Sequence, residues 1–246
     1  AITAMSGGTA NPDITPVFAA VGAEWYTTVA MPFTDAANLT ALKAELDRRN
    51  GPLVMTDGIA YTAMRGSQGQ LVTHGLTQNS QHLSCLGVLG APESPEEWAA
   101  AYAGRATFAA SVDPAQPVSD VPLTGLMPPA ISDRFTREQR DVLLKNGIAT
   151  FTVNADGNVV LERAVTMYRL NGQGLSDRSY LDTEVLRTVS YLRWSMRVRF
   201  AQRFRRKKLG EDGARGPNVV TPKDFRGELI ALFGDWQELG LVEDIE

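Results

Sequence analysis

At 246 residues, 43% hydrophobic and 21% charged, the chain can build one large domain or two ordinary ones, and its composition shows neither disorder nor collagen bias. It has no apolar run of eighteen residues to span a membrane, and its single cysteine excludes an internal disulfide framework. The net charge of −4 is unevenly spread: residues 1–118 hold five basic and ten acidic groups (net −5), residues 119–246 hold nineteen and eighteen (net +1), and residues 209–246 alone hold three and nine (net −6).

In chain order, residues 12–21 fit a short helix. Residues 25–31 are β-rich and stop at Pro32. Thr34-Asp35 opens a helix in which Ala36, Leu39, Leu42 and Leu46 recur at spacings of three and four, and Asn50-Gly51-Pro52 ends it. Residues 53–60 predict a second strand, and residues 67–75 are compatible with a short helix. Residues 83–89 are apolar throughout, as in a strand covered on both faces. Pro95-Glu96-Glu97 starts an alanine-rich helix, with acidic side chains opposing the positive helix end. Strand and helix alternate in this half, which predicts an open α/β sheet with right-handed crossovers. The Pro-bearing residues 113–122 read as a linker, giving an α/β domain over 1–118 and an α+β domain over 119–246.

The second half opens with a helix over 136–145. A β-hairpin follows, with arms at 148–153 and 159–168 around a turn at 154–158. After a Gly/Asp loop at 171–177, a long helix is predicted over 182–207. Val185, Val189, Leu192, Met196, Phe200 and Phe204 form its apolar stripe. Arg193, Arg197, Arg199, Arg203, Arg205, Arg206, Lys207 and Lys208 crowd eight positive charges into sixteen residues. A last helix begins with Thr221 as N-cap, Pro222 at the first helical position and Asp224 in the first turn. It carries Phe225, Leu229, Leu232, Phe233, Trp236 and Leu239 on one stripe.

Motifs for chemistry are sparse. The sequence holds no P-loop, third-glycine dinucleotide fingerprint, Cys-x-x-Cys, His-Glu-x-x-His or nucleophile elbow. Two histidines, His74 and His82, are too few for a zinc centre, and Cys85 reads as a small buried apolar residue. No cofactor or metal is implied. An enzymatic alternative rests on Asp35 and Asp57 as metal-binding or acid/base groups, placed in loops at the carboxyl ends of strands, where α/β sheets bind ligands. Their plain alternative is a helix cap and a turn. The basic helix has three readings: a solvated or intramolecularly paired face, a protein interface, or a nucleic-acid contact. A basic helix followed by an acidic tail fits pairing between subunits better than general nucleic-acid binding.

Blocks in order along the chain carry a family resemblance. They include Gly8-Thr-Ala-Asn-Pro-Asp13, Glu24-Trp25, Met31-Pro-Phe-Thr-Asp35, Arg49-Asn-Gly-Pro52, Glu97-Trp-Ala-Ala100 and Asn146-Gly-Ile-Ala-Thr150. Later ones are Leu161-Glu-Arg163, Ser190-Tyr-Leu-Arg193, Val220-Thr-Pro222 and Leu239-Gly-Leu-Val-Glu243. The sequence resembles the tail sheath proteins of contractile-tailed phages, in the Mu-like branch. The resemblance implies a structural protein, not an enzyme, of a phage or prophage virion tail, made in the host cytoplasm. Its copies stack as six-membered rings into a helical sheath around the tail tube protein, meet baseplate and tail terminator proteins, and contract to drive the tube through the host envelope. It implies no nucleic acid or membrane partner. Neighbours would be stitched by terminal arms that add strands to each other's sheets. Residues 1–118 would be the outer domain. Residues 119–246 would be the inner, tube-facing one, with the hairpin as strand acceptor and the eight basic residues as interface. The resemblance also implies a fragment, starting at the family's middle region and lacking the N-terminal region and the C-terminal arm.

Overall fold

A computed structural model describes residues 10–214 and 216–243; residues 1–9, with Gly8 and Thr9 of the first resemblance block, Arg215 and the final three residues lie outside them. Six strands form one mixed sheet: β1 (Thr28–Ala30), β2 (Ile59–Arg65), β3 (Leu83–Val88), β4 (Val121–Pro122), β5 (Ile148–Val153) and β6 (Val159–Arg163). Their order across the sheet is β1-β2-β3-β5-β6-β4. The first four in that order run parallel, β6 returns antiparallel to β5, and β4 is antiparallel to β6.

The connecting helices are α1 (Thr15–Val21), α2 (Ala36–Asn50), α3 (Gln68–Thr77), α4 (Pro95–Val112) and α5 (Arg137–Lys145). Their starts follow from local chemistry. Asp35 accepts from the Asn38 N–H at the head of α2, and Ser67/Gln70, Ser94/Glu97 and Thr136/Gln139 form capping boxes on α3, α4 and α5. These side chains satisfy backbone donors that the first helical turn leaves unpaired.

Strand alternation sorts the core into two layers. Ile59, Tyr61 and Ala63 of β2 face one way, with Trp98 and Tyr102 of α4. Ala60 faces the other way, with Leu39, Leu42 and Leu46 of α2, Leu71 of α3 and Leu143 of α5. Tyr61 and Tyr102 meet edge to face at 4.7 Å. Every residue of β3 is buried, as its unbroken apolar sequence predicts for a strand covered on both sides.

Three expectations shift. The strand expected over 53–60 is β2 at Ile59–Arg65. After Gly51-Pro52 the chain makes a turn instead, in which Leu53 is 94% exposed and Met55 adopts a left-handed backbone. The expected linker is part of the sheet: the N–H groups of Asp120 and Leu123 donate to Leu161 and Val159, and Ala164 donates to Val118. Residues 118–123 therefore run along the outer side of β6. The second hairpin arm ends at Arg163; beyond it Val165 and Leu170 form isolated bridges with Asp182 and Ser176.

The remaining elements are α6 (Thr183–Phe204), β7 (Lys208–Leu209), β8 (Val219–Val220) and α7 (Pro222–Glu238). The chain divides into two compact units, Ala1–Leu186 and Arg187–Glu246, hereafter units 1 and 2. The expected boundary at 118/119 thus falls inside unit 1, because β5, β6 and β4 extend the same sheet as β1–β3. Unit 1 is an α/β sheet domain that includes the hairpin, and unit 2 is helix-rich with a short parallel strand pair.

Candidate functional site

Within unit 2 the basic helix is not one uniform face. Arg199 pairs with Glu228 and, at 3.0 Å, with Asp235; Arg203 reaches Glu228 at 3.3 Å. These contacts join α6 to α7 in antiparallel sense, because the later residue on α6 meets the earlier one on α7. The guanidinium of Arg199 lowers the Glu228 carboxyl below the ordinary range, and the carboxylate raises the Arg199 pKa in return.

Apolar contacts reinforce the pairing. Phe225 lies 4.3 Å from Phe204 and 5.7 Å from Phe200 between ring centroids. The Trp236 indole N–H donates to Ser195 Oγ at 3.1 Å, and Leu232 and Trp236 are buried. α7 starts as expected, with a Thr221/Asp224 capping box and Pro222 in its first turn.

At about 100° per residue, Arg193 and Arg197 lie roughly 120° and 160° around α6 from Arg199. Both are half-buried and engaged in interactions of their own. Arg203 is exposed although paired, and Arg205, Arg206, Lys207 and Lys208 are exposed beyond the helix end. Arg206 takes a left-handed backbone, and Lys207 lies 5.6 Å from the Phe204 ring centroid. So the eight predicted interface residues fall into three sets: an internal pair, two half-buried arginines and a solvent-facing tetrad. The sequence left open an intramolecularly paired face, a protein interface that meets acidic surface on the tube or the acidic stretch 209–246 of a neighbour, and a nucleic-acid contact. Glu228 and Asp235 of the same chain are the counter-charges of Arg199 and Arg203. The signal was present, in arginines four apart on one helix and carboxylates seven apart on the next.

The short strands beside the tetrad leave an open edge. Lys208 and Gly210 donate to Asn218 and Val220, so the Leu209 N–H points away from β8. Leu209 is 81% exposed. The hairpin edge, expected to accept a strand, is instead covered by residues 118–123 of its own chain.

The aspartates of the enzymatic alternative do not converge. Asp35 follows the carboxyl end of β1, whereas Asp57 precedes the amino end of β2, and β1 and β2 are parallel. They sit at opposite ends of the sheet. Asp35 is a helix cap that also accepts from Asn11 and Asn38, and the Asn11 hydrogen bond lowers its pKa. Asp57 is buried, and its carbonyl accepts from the Trp25 indole at 2.8 Å. Among the described residues no three His, Cys, Asp or Glu side chains group so as to hold a metal ion. His74 and His82 are both buried; His82 Nδ1 lies 2.9 Å from the Gly58 carbonyl oxygen. Cys85 is fully buried, and burial pushes its thiol up to about 12.

The sequence model of the phage tail sheath protein central domain matches residues 7–167, and that of the phage tail sheath C-terminal domain matches residues 176–246. A Mu-like prophage FluMu tail sheath protein of Haemophilus influenzae is 42% identical over the whole chain, and the chain spans 51% of that relative's length. Among solved structures, the sheath tail protein of Listeria innocua aligns with 99% of this chain and 54% of its own (TM-score 0.68, 13% identity). That of Desulfitobacterium hafniense aligns with 94% and 50% (TM-score 0.67, 14% identity). The anti-feeding prophage helical sheath in its contracted state aligns with 91% and 57% (TM-score 0.56, 16% identity). With two sheath domains matched in order along nearly its full length, the chain belongs to the phage tail sheath protein family.

Proposed function

We propose that this chain is the central and C-terminal part of the sheath subunit of a contractile Mu-like phage or prophage tail. Copies of the whole subunit, made in the host cytoplasm, stack as six-membered rings into a helical sleeve around the tail tube. The sleeve meets baseplate and tail terminator proteins, and it shortens to drive the tube through the host envelope. Its role is mechanical rather than catalytic. The observation that carries this reading is the ordered pair of sheath domains in one chain, supported by a fold shared with a helical sheath in the contracted state.

Contraction requires two packings of similar free energy separated by a barrier. Charged, partly wet contacts suit that requirement better than a large dry interface, which would hold one state too firmly. In this reading unit 2 supplies the inner, assembly-building surface. Arg205, Arg206, Lys207 and Lys208 meet acidic surface on a neighbour or on the tube, and the open Leu209 edge takes a strand from a neighbour's arm. The test is electron microscopy of full-length subunits produced with tubes. Wild type is expected to form contractile sleeves. Charge reversal at the four cations, or Leu209→Pro, should abolish sleeves while circular dichroism stays unchanged. Normal sleeves from both variants would remove these assembly roles, and no sleeves from wild type would remove the sheath function.

A further inference from the structure

The root of α6, up to Leu186, belongs to unit 1 and is held to the rest of that unit by several independent contacts. The Arg163 guanidinium grips Asp182 with two hydrogen bonds, of 2.7 and 2.8 Å. The Thr183 N–H donates to the Ala164 carbonyl at 3.2 Å, and the Thr166 N–H donates to Leu181 at 2.7 Å. Thr183 is fully buried, and Leu186 sits in the core beside Tyr61, Tyr102 and Val165. A fastening of this kind should be free of buried charge, yet Glu184 stands in the middle of it.

Glu184 is half-buried, and its Oε2 is fully buried with no hydrogen-bond partner. The groups around it give an ionised carboxylate little support. Asp182 repels it from the preceding turn. Arg163, the cation on β6, already holds Asp182. Tyr102 of α4 faces it as a neutral phenol that hydrogen-bonds with Ser84. Backbone N–H groups of Val118 and of Glu184 itself hydrogen-bond the carboxyl and favour its ionised form, though less than burial disfavours it, and Arg187 follows three residues along the helix. An unpartnered carboxylate oxygen in such a place favours the neutral acid. Burial, the largest cause, lifts this carboxyl to about 7.

We propose that the first turn of α6 is a proton-controlled fastening, closed on the rest of unit 1 while Glu184 is protonated and loosened when it ionises. The sign follows from linkage. The stabilising contribution is fully present below the unfolded pKa, near 4.5, and is lost as pH rises through the folded value near 7. One proton is involved, so local opening grows by at most about tenfold per pH unit within that window.

The experiment is hydrogen exchange of the amides of Thr183 and Val185 between pH 5 and 8, corrected for intrinsic rates, in wild type and Glu184→Gln. Protection in wild type should fall toward pH 8, while Glu184→Gln should stay flat at the low-pH level. An identical pH profile in both proteins would overturn the proposal. Carbon-13 titration of the Glu184 carboxyl in the unmodified chain keeps the test independent of the variant's folding. A midpoint near 4.5 would overturn the proposal, and one near neutrality supports it.

Discussion

His74 and Gly75 are adjacent on α3 and illustrate two kinds of residue-level constraint. The His74 ring is buried, its Nε2 has no hydrogen-bond partner, and loss of hydration lowers its pKa below 6.5. In the fold the ring takes up a proton only at lower pH than in the unfolded chain, where it gains one as pH falls through 6.5. Its contribution to stability is therefore present above 6.5 and lost on acidification, opposite in sign to Glu184. Urea unfolding from pH 7.5 to 5 in the Glu184→Gln background should show a stability loss that His74→Gln flattens. Gly75 is fixed by space: a Cβ there would lie 2.1 Å from the Asn146 carbonyl oxygen. Gly75→Ala should destabilise unit 1 by about 1–3 kcal/mol in the same assay, the usual cost of overpacking.

Among the elements, helix starts and apolar stripes were legible in the sequence because their causes are local. Asp35, Thr136 and Thr221 accept from backbone N–H groups three residues on, Pro95 presets its own backbone for the first helical position, and α2, α4, α5 and α7 begin where those residues place them. The segment 113–122 was not legible, because its prolines describe a linker as well as they describe an edge strand. The structure makes Leu123 98% buried at the edge of β6. Leu123 directly follows that segment, and Leu123→Ala should cost about 2–5 kcal/mol in chemical denaturation, as for a core leucine, whereas an exposed leucine would cost almost nothing. The pairing of α6 with α7 makes a different prediction. Glu228→Gln removes the negative charge shared by Arg199 and Arg203, and should lower the melting temperature by an amount that shrinks in 1 M salt. A loss that salt leaves unchanged would assign the pairing to Phe200, Phe204 and Phe225 instead.

For the whole molecule, the amino-acid order alone determined the alternation of strands and helices, the buried β3, the two long C-terminal helices and the sheath resemblance. The elements rest on periodicity and on contacts a few residues apart, and the resemblance rests on residue blocks that occur in order along the chain. Tertiary structure decided which groups meet. It brought residues 118–123 alongside β6, placed Asp35 and Asp57 at opposite ends of the sheet, and turned Arg199 and Arg203 onto Glu228 and Asp235. It also left Leu209 and the four terminal cations facing solvent. The physical reason is range. A cap or a stripe is fixed by neighbours in sequence, but an ion pair between residues 25 to 36 positions apart exists only once the chain between them has closed.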